Sequence, residues 1–263
     1  MTVNAPYALD NDAPTANPMH DCLSEILDDF TRRRLLQAGI NGNSLCWEIG
    51  AGNGSVAEWM AEQIGPDGEV LATDLKIQHI RAHPGVLPMV HDVAAQEPPV
   101  GQVNLAHARL VFAHLPNRRD TLAKVASALA PGGAVVIEDW GHWTGLVLTS
   151  PIKGAAQVYA RYQNALLEVF RSFGNDPTWA ISAAQAMTEL GLVGVDARTE
   201  SQSWPGGSPG CRLPVVVSAE LREPLLGFGA TAADLDALPE IMNHPQTLVL
   251  GNTTVSTIGR RAR

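Results

Sequence analysis

"WEIGAGNGS", residues 47–55, carries glycine at three alternate positions, Gly50, Gly52 and Gly54. The apolar run "LCWEI" at 45–49 leads into it, and "SVAEWMAEQI" at 55–64, with helical spacing, leads out. A strand that enters a helix through such a bend is the usual ligand cradle of an open parallel sheet, whose ligands gather at the carboxyl ends of the strands. Glycine suits the place because it takes positive φ freely and lets another group approach the backbone closely. By itself the bend is weak evidence, since any tight turn can ask for glycine.

Working outward, "EVLATDL" (69–75) reads as a second strand, "KIQHIRAH" (76–83) as a short helix and "VLPMVHDV" (86–93) as a third strand. "QVNLAHARLVF" (102–112) is a fourth strand, and "NRRDTLAKVASALA" (117–130) an amphipathic helix ended by Pro131-Gly132-Gly133. "AVVIEDW" (134–140) is a fifth strand, apolar almost throughout, as a buried parallel strand should be. This alternation over 45–140 predicts an α/β fold, an open parallel sheet with helices on both faces. Upstream, Leu23, Ile26, Leu27, Phe30, Leu35 and Leu36 have helical spacing. Downstream, 152–174 and 179–192 read as helices, 193–204 as a sixth strand, 208–245 as an inserted helical segment and 247–261 as a β-rich close.

The bulk composition bounds the function. A chain of 263 residues with 45% hydrophobic and 17% charged residues can bury one large core. Its net charge of −9 lacks the basic stripe of a nucleic-acid binder, and "GRRAR" at 259–263 reads as a solvated tail. Three scattered cysteines, Cys22, Cys46 and Cys211, have no metal-ligand spacing, so no metal is expected; Cys46 belongs in the core. The acidic N-terminus lacks the order of a signal peptide and no apolar run is long enough to span a bilayer, so a cytoplasmic location without a membrane partner is expected.

Acidic residues narrow the ligand. Asp74 follows Gly54 by twenty residues, at the end of the second strand, where a carboxylate accepts hydrogen bonds from ribose hydroxyls; it also suits a helix N-cap. Asp92 ends the third strand, where it would face the exocyclic amine of an adenine. Glu48 stands just before the glycines, where a carboxylate attracts a cationic amino group and repels a pyrophosphate. A dinucleotide-binding G-x-G-x-x-G would need glycine where Ser55 stands; the small serine does not exclude it, but the charge pattern favours a cationic nucleoside.

"CWEIGAGNGSVAEWMAE", "LATDL", "HDV", "HARLVFAHLP" and "LAPGGAVVIEDW", in this order, together resemble the class I S-adenosylmethionine-dependent methyltransferases. Within that class they are most similar to the small-molecule branch of ubiquinone/menaquinone-type and actinomycete natural-product enzymes. The resemblance implies a Rossmann-like seven-stranded sheet with the last strand antiparallel, the run 247–261 pairing with 193–204. It implies a single domain over 1–263, with a cofactor core at 45–140, an N-terminal helical lid at 1–40 and helical insertions at 151–175 and 205–245 over the substrate. It also implies S-adenosyl-L-methionine as cofactor. Glu48, Gly50, Ala51, Gly52 and Gly54 would cradle its methionine part, Asp74 and Leu75 its ribose, Asp92 and Val93 its adenine, with Ala108 and Arg109 near its amino-acid end. Asn104 stands where many relatives have an acid, at the strand end away from the ligand.

Methyl transfer from a sulfonium needs orientation and a dry pocket, and a general base when the acceptor is a weak nucleophile. Asp139 and His142 are the candidate bases, although His142 also reads as an exposed loop residue. Trp140, Trp143, Tyr7, Tyr159 and Tyr162 are the candidate substrate contacts; core packing is the alternative for the tryptophans and a structural role for the tyrosines, which share one helix face. His107 and His114 flank the turn after the fourth strand, and His114 reads as a packing or capping residue. The expected acceptor is a small molecule, with secondary metabolism as the setting; a homodimer is left open. The alternative is a cyclase or isomerase on the same fold, with no net methylation.

Overall fold

The computed structural model describes Leu9, residues 15–142 and residues 145–263, without the side chain of His142. Tyr7 and Trp143 lie outside the described residues. In chain order the first elements are α1 (Ala16–Ala38), β1 (Leu45–Ile49), α2 (Ser55–Ile64), β2 (Glu69–Asp74), β3 (Val86–Val90) and β4 (Val103–Arg109). There follow α3 (Arg118–Ala128), β5 (Leu129–His142), β6 (Leu146–Thr149), α4 (Ala155–Ser172), α5 (Trp179–Glu189) and β7 (Val193–Glu200). The chain ends with β8 (Ser203–Pro205), α6 (Pro209–Glu220), α7 (Arg222–Gly227), α8 (Ala232–Asn243), β9 (Leu248–Leu250) and β10 (Thr253–Arg260).

Two compact units result. One is formed by 27–141, 178–199 and 254–263 and contains the seven-stranded sheet, in the order β3-β2-β1-β4-β5-β10-β7. The strands β1 to β5 run parallel, with Glu48 in register with His107 and Arg109 with Glu138. The last strand, β10, is antiparallel, as the resemblance implies. Strand alternation sends Trp47, Ile49, Ala106, Ala108, Val135 and Ile137 to one face, where they pack with Phe112, Leu122 and Val125 and with Trp179 and Met187 of α5. Cys46, Val70, Ala72, Leu105 and Val136 go to the other face and meet Leu35 of α1 and Val56, Ala57 and Met60 of α2. Cys46 is thus a core residue, wholly buried.

The second unit holds the described residues up to Ile26, His142–Pro177 and Glu200–Thr253. It contains a three-stranded antiparallel sheet, β6-β9-β8, with α4, α6, α7 and α8. Helix α8 opens on a capping box in which the Thr231 side chain and Asp234 satisfy each other's backbone amides.

Four local expectations change. Residues 76–83 form no helix: the Arg81 amide donates to the Asn53 carbonyl at 3.2 Å, which commits this stretch to the glycine bend. The fourth strand stops at Arg109, because Leu110 takes a left-handed φ of 55° while its amide donates to the Glu138 carbonyl at 2.7 Å. The run 247–261 is two strands in different sheets, β9 beside β6 and β8, and β10 beside β5 and β7; residues 193–204 divide in the same way. Finally, the terminal "GRRAR" is not simply solvated. The Arg261 guanidinium donates to the carbonyls of Ser127 (3.1 Å) and Leu129 (2.6 Å) at the C-terminal end of α3, where a cation is favoured.

Candidate functional site

The three glycines of the bend have φ of 68° (Gly50), 56° (Gly52) and 82° (Gly54), all left-handed, so each is required by backbone conformation alone. Two are also crowded by their own chain. A Cβ at Gly50 would lie 2.3 Å from Val111 Cγ2, and one at Gly54 would lie 3.0 Å from Ile80 Cγ2 and 3.3 Å from the Arg81 amide nitrogen. The tip of β2 fastens the bend: the Thr73 carbonyl accepts from Gly50 (2.8 Å) and Ala51 (3.0 Å). One Asp74 oxygen accepts from the Gly52 amide at 2.9 Å and the other from the Lys76 amide at 3.2 Å. An ionised carboxylate has about four acceptor sites, so Asp74 can still receive ribose hydroxyls.

Asp92 follows β3 and accepts from the Ala94 (2.9 Å) and Ala95 (3.2 Å) amides, which fixes the turn beyond the strand. Leu75 is exposed, whereas Val93, Ala108 and Ala51 are buried. The parallel register therefore brings Glu48, the glycines, Asp74 and Asp92 to the carboxyl ends of β1, β2 and β3, as the sequence predicts. Asn104 stands at the opposite end, accepting from the Leu45 amide at 2.8 Å.

Under the bend lies a buried polar chain. Glu48 accepts from His107 Nδ1 at 2.7 Å, His107 Nε2 lies 3.4 Å from Glu138, and the Thr31 hydroxyl donates to the same Glu138 oxygen at 2.5 Å. All four side chains are almost wholly enclosed. Burial pulls His107 down, but the Glu48 charge and the hydrogen bonds to Glu138 and Glu48 outweigh it and bring the imidazole to about 9. Burial pushes Glu48 up, against the His107 charge and hydrogen bond and Arg109. Glu138 is held below the usual carboxylate range: hydrogen bonds from His107, Thr31 and Ser256 overcome its burial.

Arg109 does not stand free at the strand tip. Its guanidinium donates to Asp28 (2.9 Å) and Thr31 (3.0 Å) of α1, and Asp28 also accepts from the Ser55 hydroxyl at the start of α2 (3.2 Å). Arg34, one turn on, is 1% exposed and reaches Ser256 and Asp196. Sequence reading missed Asp28, Thr31 and Arg34. The signal was there: at positions 28, 31 and 34 they follow the same helical stripe as Leu27, Leu35 and Ala38.

Asp139 lies on the opposite face of the sheet, 1% exposed. One of its oxygens accepts from the Ala113 amide at 3.3 Å, and the other has no hydrogen-bond partner among the described residues. Burial raises its carboxyl well above the ordinary range. Trp140 is half-buried beside it. Tyr159 and Tyr162 belong to the second unit, stacked at 6.0 Å and both 1% exposed, with the Tyr159 hydroxyl accepting from Gln163 at 2.6 Å. His114 ends a short 3-10 turn at Phe112–His114.

Comparison with known proteins identifies the family and supports the fold. A family model described as "Methyltransferase domain" matches residues 23–190. The curated protein methyltransferase str3 of Strobilurus tenacellus is 30% identical over 140 residues, which cover 51% of this chain and 48% of that one. The chain thus spans about half the length of that curated relative. Among solved structures, phosphoethanolamine N-methyltransferase 2 of Haemonchus contortus, in complex with phosphomonomethylethanolamine and S-adenosylhomocysteine, superposes with a TM-score of 0.60 at 14% identity, over 100% of this chain and 61% of that one. A Bacillus halodurans structure does so with a TM-score of 0.54 at 16% identity, over 88% and 98% of the two chains. The family match takes in most of α1, the glycine bend, all three strand-tip acids and the buried polar chain, so the protein belongs to the methyltransferase-domain family.

Proposed function

We propose that this protein transfers a methyl group from S-adenosylmethionine to a small-molecule acceptor. The observation that carries the reading is the set of carboxylates, Glu48, Asp74 and Asp92, at successive strand ends beside a bend of left-handed glycines. The donor set fits the ligand: acids suit a sulfonium nucleoside with an α-ammonium and would repel a pyrophosphate. The solved Haemonchus relative, whose complex contains the demethylated cofactor, supports the same reading by fold.

When bound, S-adenosylmethionine supplies an electrophilic methyl group; the protein's task is to hold and orient. Glu48, with Gly50, Ala51, Gly52 and Gly54, meets the amino-acid end, Asp74 and Leu75 the ribose, and Asp92 and Val93 the adenine. Arg109 orders the site through Asp28 and Thr31 rather than by reaching for the ligand. Of the proposed bases, Asp139 is enclosed at 1% exposure, so His142 at the end of β5 is the stronger candidate. Trp140, Tyr159 and Tyr162, with Trp143 and Tyr7, are the proposed acceptor contacts, and secondary metabolism the proposed setting. The net charge of −9 supports a small acceptor over a nucleic acid.

Asp74→Ala should weaken S-adenosylmethionine binding at least tenfold, about 1.4 kcal/mol, in titration calorimetry. Asp74→Asn, which keeps an acceptor for the Gly52 amide, should lose less. Unchanged affinity in Asp74→Ala would remove the ribose role. Release of S-adenosylhomocysteine during turnover separates methyl transfer from a cyclase or isomerase reaction.

A further inference from the structure

The polar chain beneath the bend contains a group that ligand holding alone does not explain. His107 sits wholly enclosed in the middle of the central strands, with a carboxylate on each ring nitrogen. The charged and polar groups around it come from every element packed there. Glu48 comes from β1, Arg109 from β4, Glu138 from β5, Ser256 from β10, and Asp28, Thr31 and Arg34 from α1. A packing role would be filled by leucine, and a single hydrogen bond by glutamine. A ring that donates from both edges can hold two acids ionised at once, which neither leucine nor glutamine can do. Glu48 needs this most, since burial pushes its carboxyl up and the imidazolium is the first influence that opposes it.

We propose that His107 is a positioning residue for the cofactor site: clamped between Glu48 and Glu138, it holds the Glu48 carboxylate ionised and in one rotamer beneath the glycine bend, and so sets the pH at which the site accepts a cationic ligand. Glu138, hydrogen-bonded by Thr31, anchors the far edge of the ring and keeps the proton on the imidazole. The inference rests on the reading of Glu48 as the acid that meets the cofactor's ammonium group.

The test is S-adenosylmethionine affinity between about pH 5.5 and 7.5, by titration calorimetry, for the wild type, His107→Gln and Glu48→Gln. Wild-type affinity should fall only toward the acid end. In His107→Gln the midpoint should move up by a pH unit or more, with at least a tenfold loss near pH 6 that shrinks toward pH 7.5. Glu48→Gln should bind weakly and without pH dependence. An unchanged profile in His107→Gln, or a loss equal at every pH, overturns the proposal, because a merely structural histidine would give one of those. Nitrogen NMR of the wild type reads the ring without any ligand or variant. His107 should carry protons on both nitrogens through pH 8, and a singly protonated ring at pH 7 overturns the proposal. If the wild type ignores S-adenosylmethionine, the cofactor reading fails and the ring spectrum alone decides the state of His107.

Discussion

The two faces of the seven-stranded sheet are made by the same strands and differ by one residue of register. On one face Trp47, Ile49, Ala106, Ala108, Val135 and Ile137 build a dry core with Phe112 and Trp179, whose rings stack at 6.0 Å. One residue along, Glu48, His107, Arg109 and Glu138 face α1 and α2 and form a charged chain beneath the glycine bend. The dry face is held by area removed from water, about 25 cal/mol for each Å² of apolar surface. On the other face Cys46, Val70, Leu105 and Val136 add an apolar core of their own, whereas the charged chain set into it gains little net stability, because desolvation offsets attraction, and is costly to break. Both faces therefore carry stability, and one of them also holds the polar chain beneath the proposed ligand seat.

Single substitutions should cost the two alike. His107→Leu leaves Glu48 and Glu138 buried without their cation and should cost about 3–5 kcal/mol in urea unfolding. Trp47→Ala on the dry face should cost a similar amount, about 3–5 kcal/mol, from lost burial, a cavity and the lost hydrogen bond to Thr73. The faces part company when the whole polar set is replaced. Glu48, His107 and Glu138 all changed to leucine should leave stability within about 2 kcal/mol of wild type while abolishing ligand binding. No comparable set of changes on the dry face should be neutral.

The pH dependence is the next largest effect. His107 takes up protons more readily folded than unfolded, so its contribution is complete below its unfolded value near 6.5. It is lost as pH rises through about 9. Wild-type stability should therefore fall over that interval, by a few kcal/mol at most, and His107→Gln should flatten the fall. Asp139 gives the smallest effect. Its raised carboxyl stabilises the fold only while protonated, and that contribution fades above the ordinary aspartate range. Asp139→Asn should match wild type near pH 4 and be the more stable protein at pH 8 in thermal unfolding.

Much of this was legible in the chain. The alternation of strand and helix, the bend and the acids at 48, 74 and 92 are local patterns, and local patterns survive folding. What failed depended on distant partners. "KIQHIRAH" has helical composition, but Arg81 hydrogen-bonds back to Asn53. The hydrogen bonds of Arg109 were hidden because its partners, Asp28 and Thr31, stand some eighty residues earlier in the sequence. The hydrogen bond of Glu48 with His107, on the neighbouring strand, is likewise not legible in the sequence. The three-stranded sheet of the second unit was missed because its strands are three or four residues long and lie far apart in the chain.

The central claim is that acids at consecutive strand ends make a seat for a positively charged nucleoside, and ligand titration of the whole chain tests it most directly. Calorimetry should find binding of S-adenosylmethionine and S-adenosylhomocysteine, and no binding of NAD. Uptake of the dinucleotide with indifference to both sulfur nucleosides would contradict it.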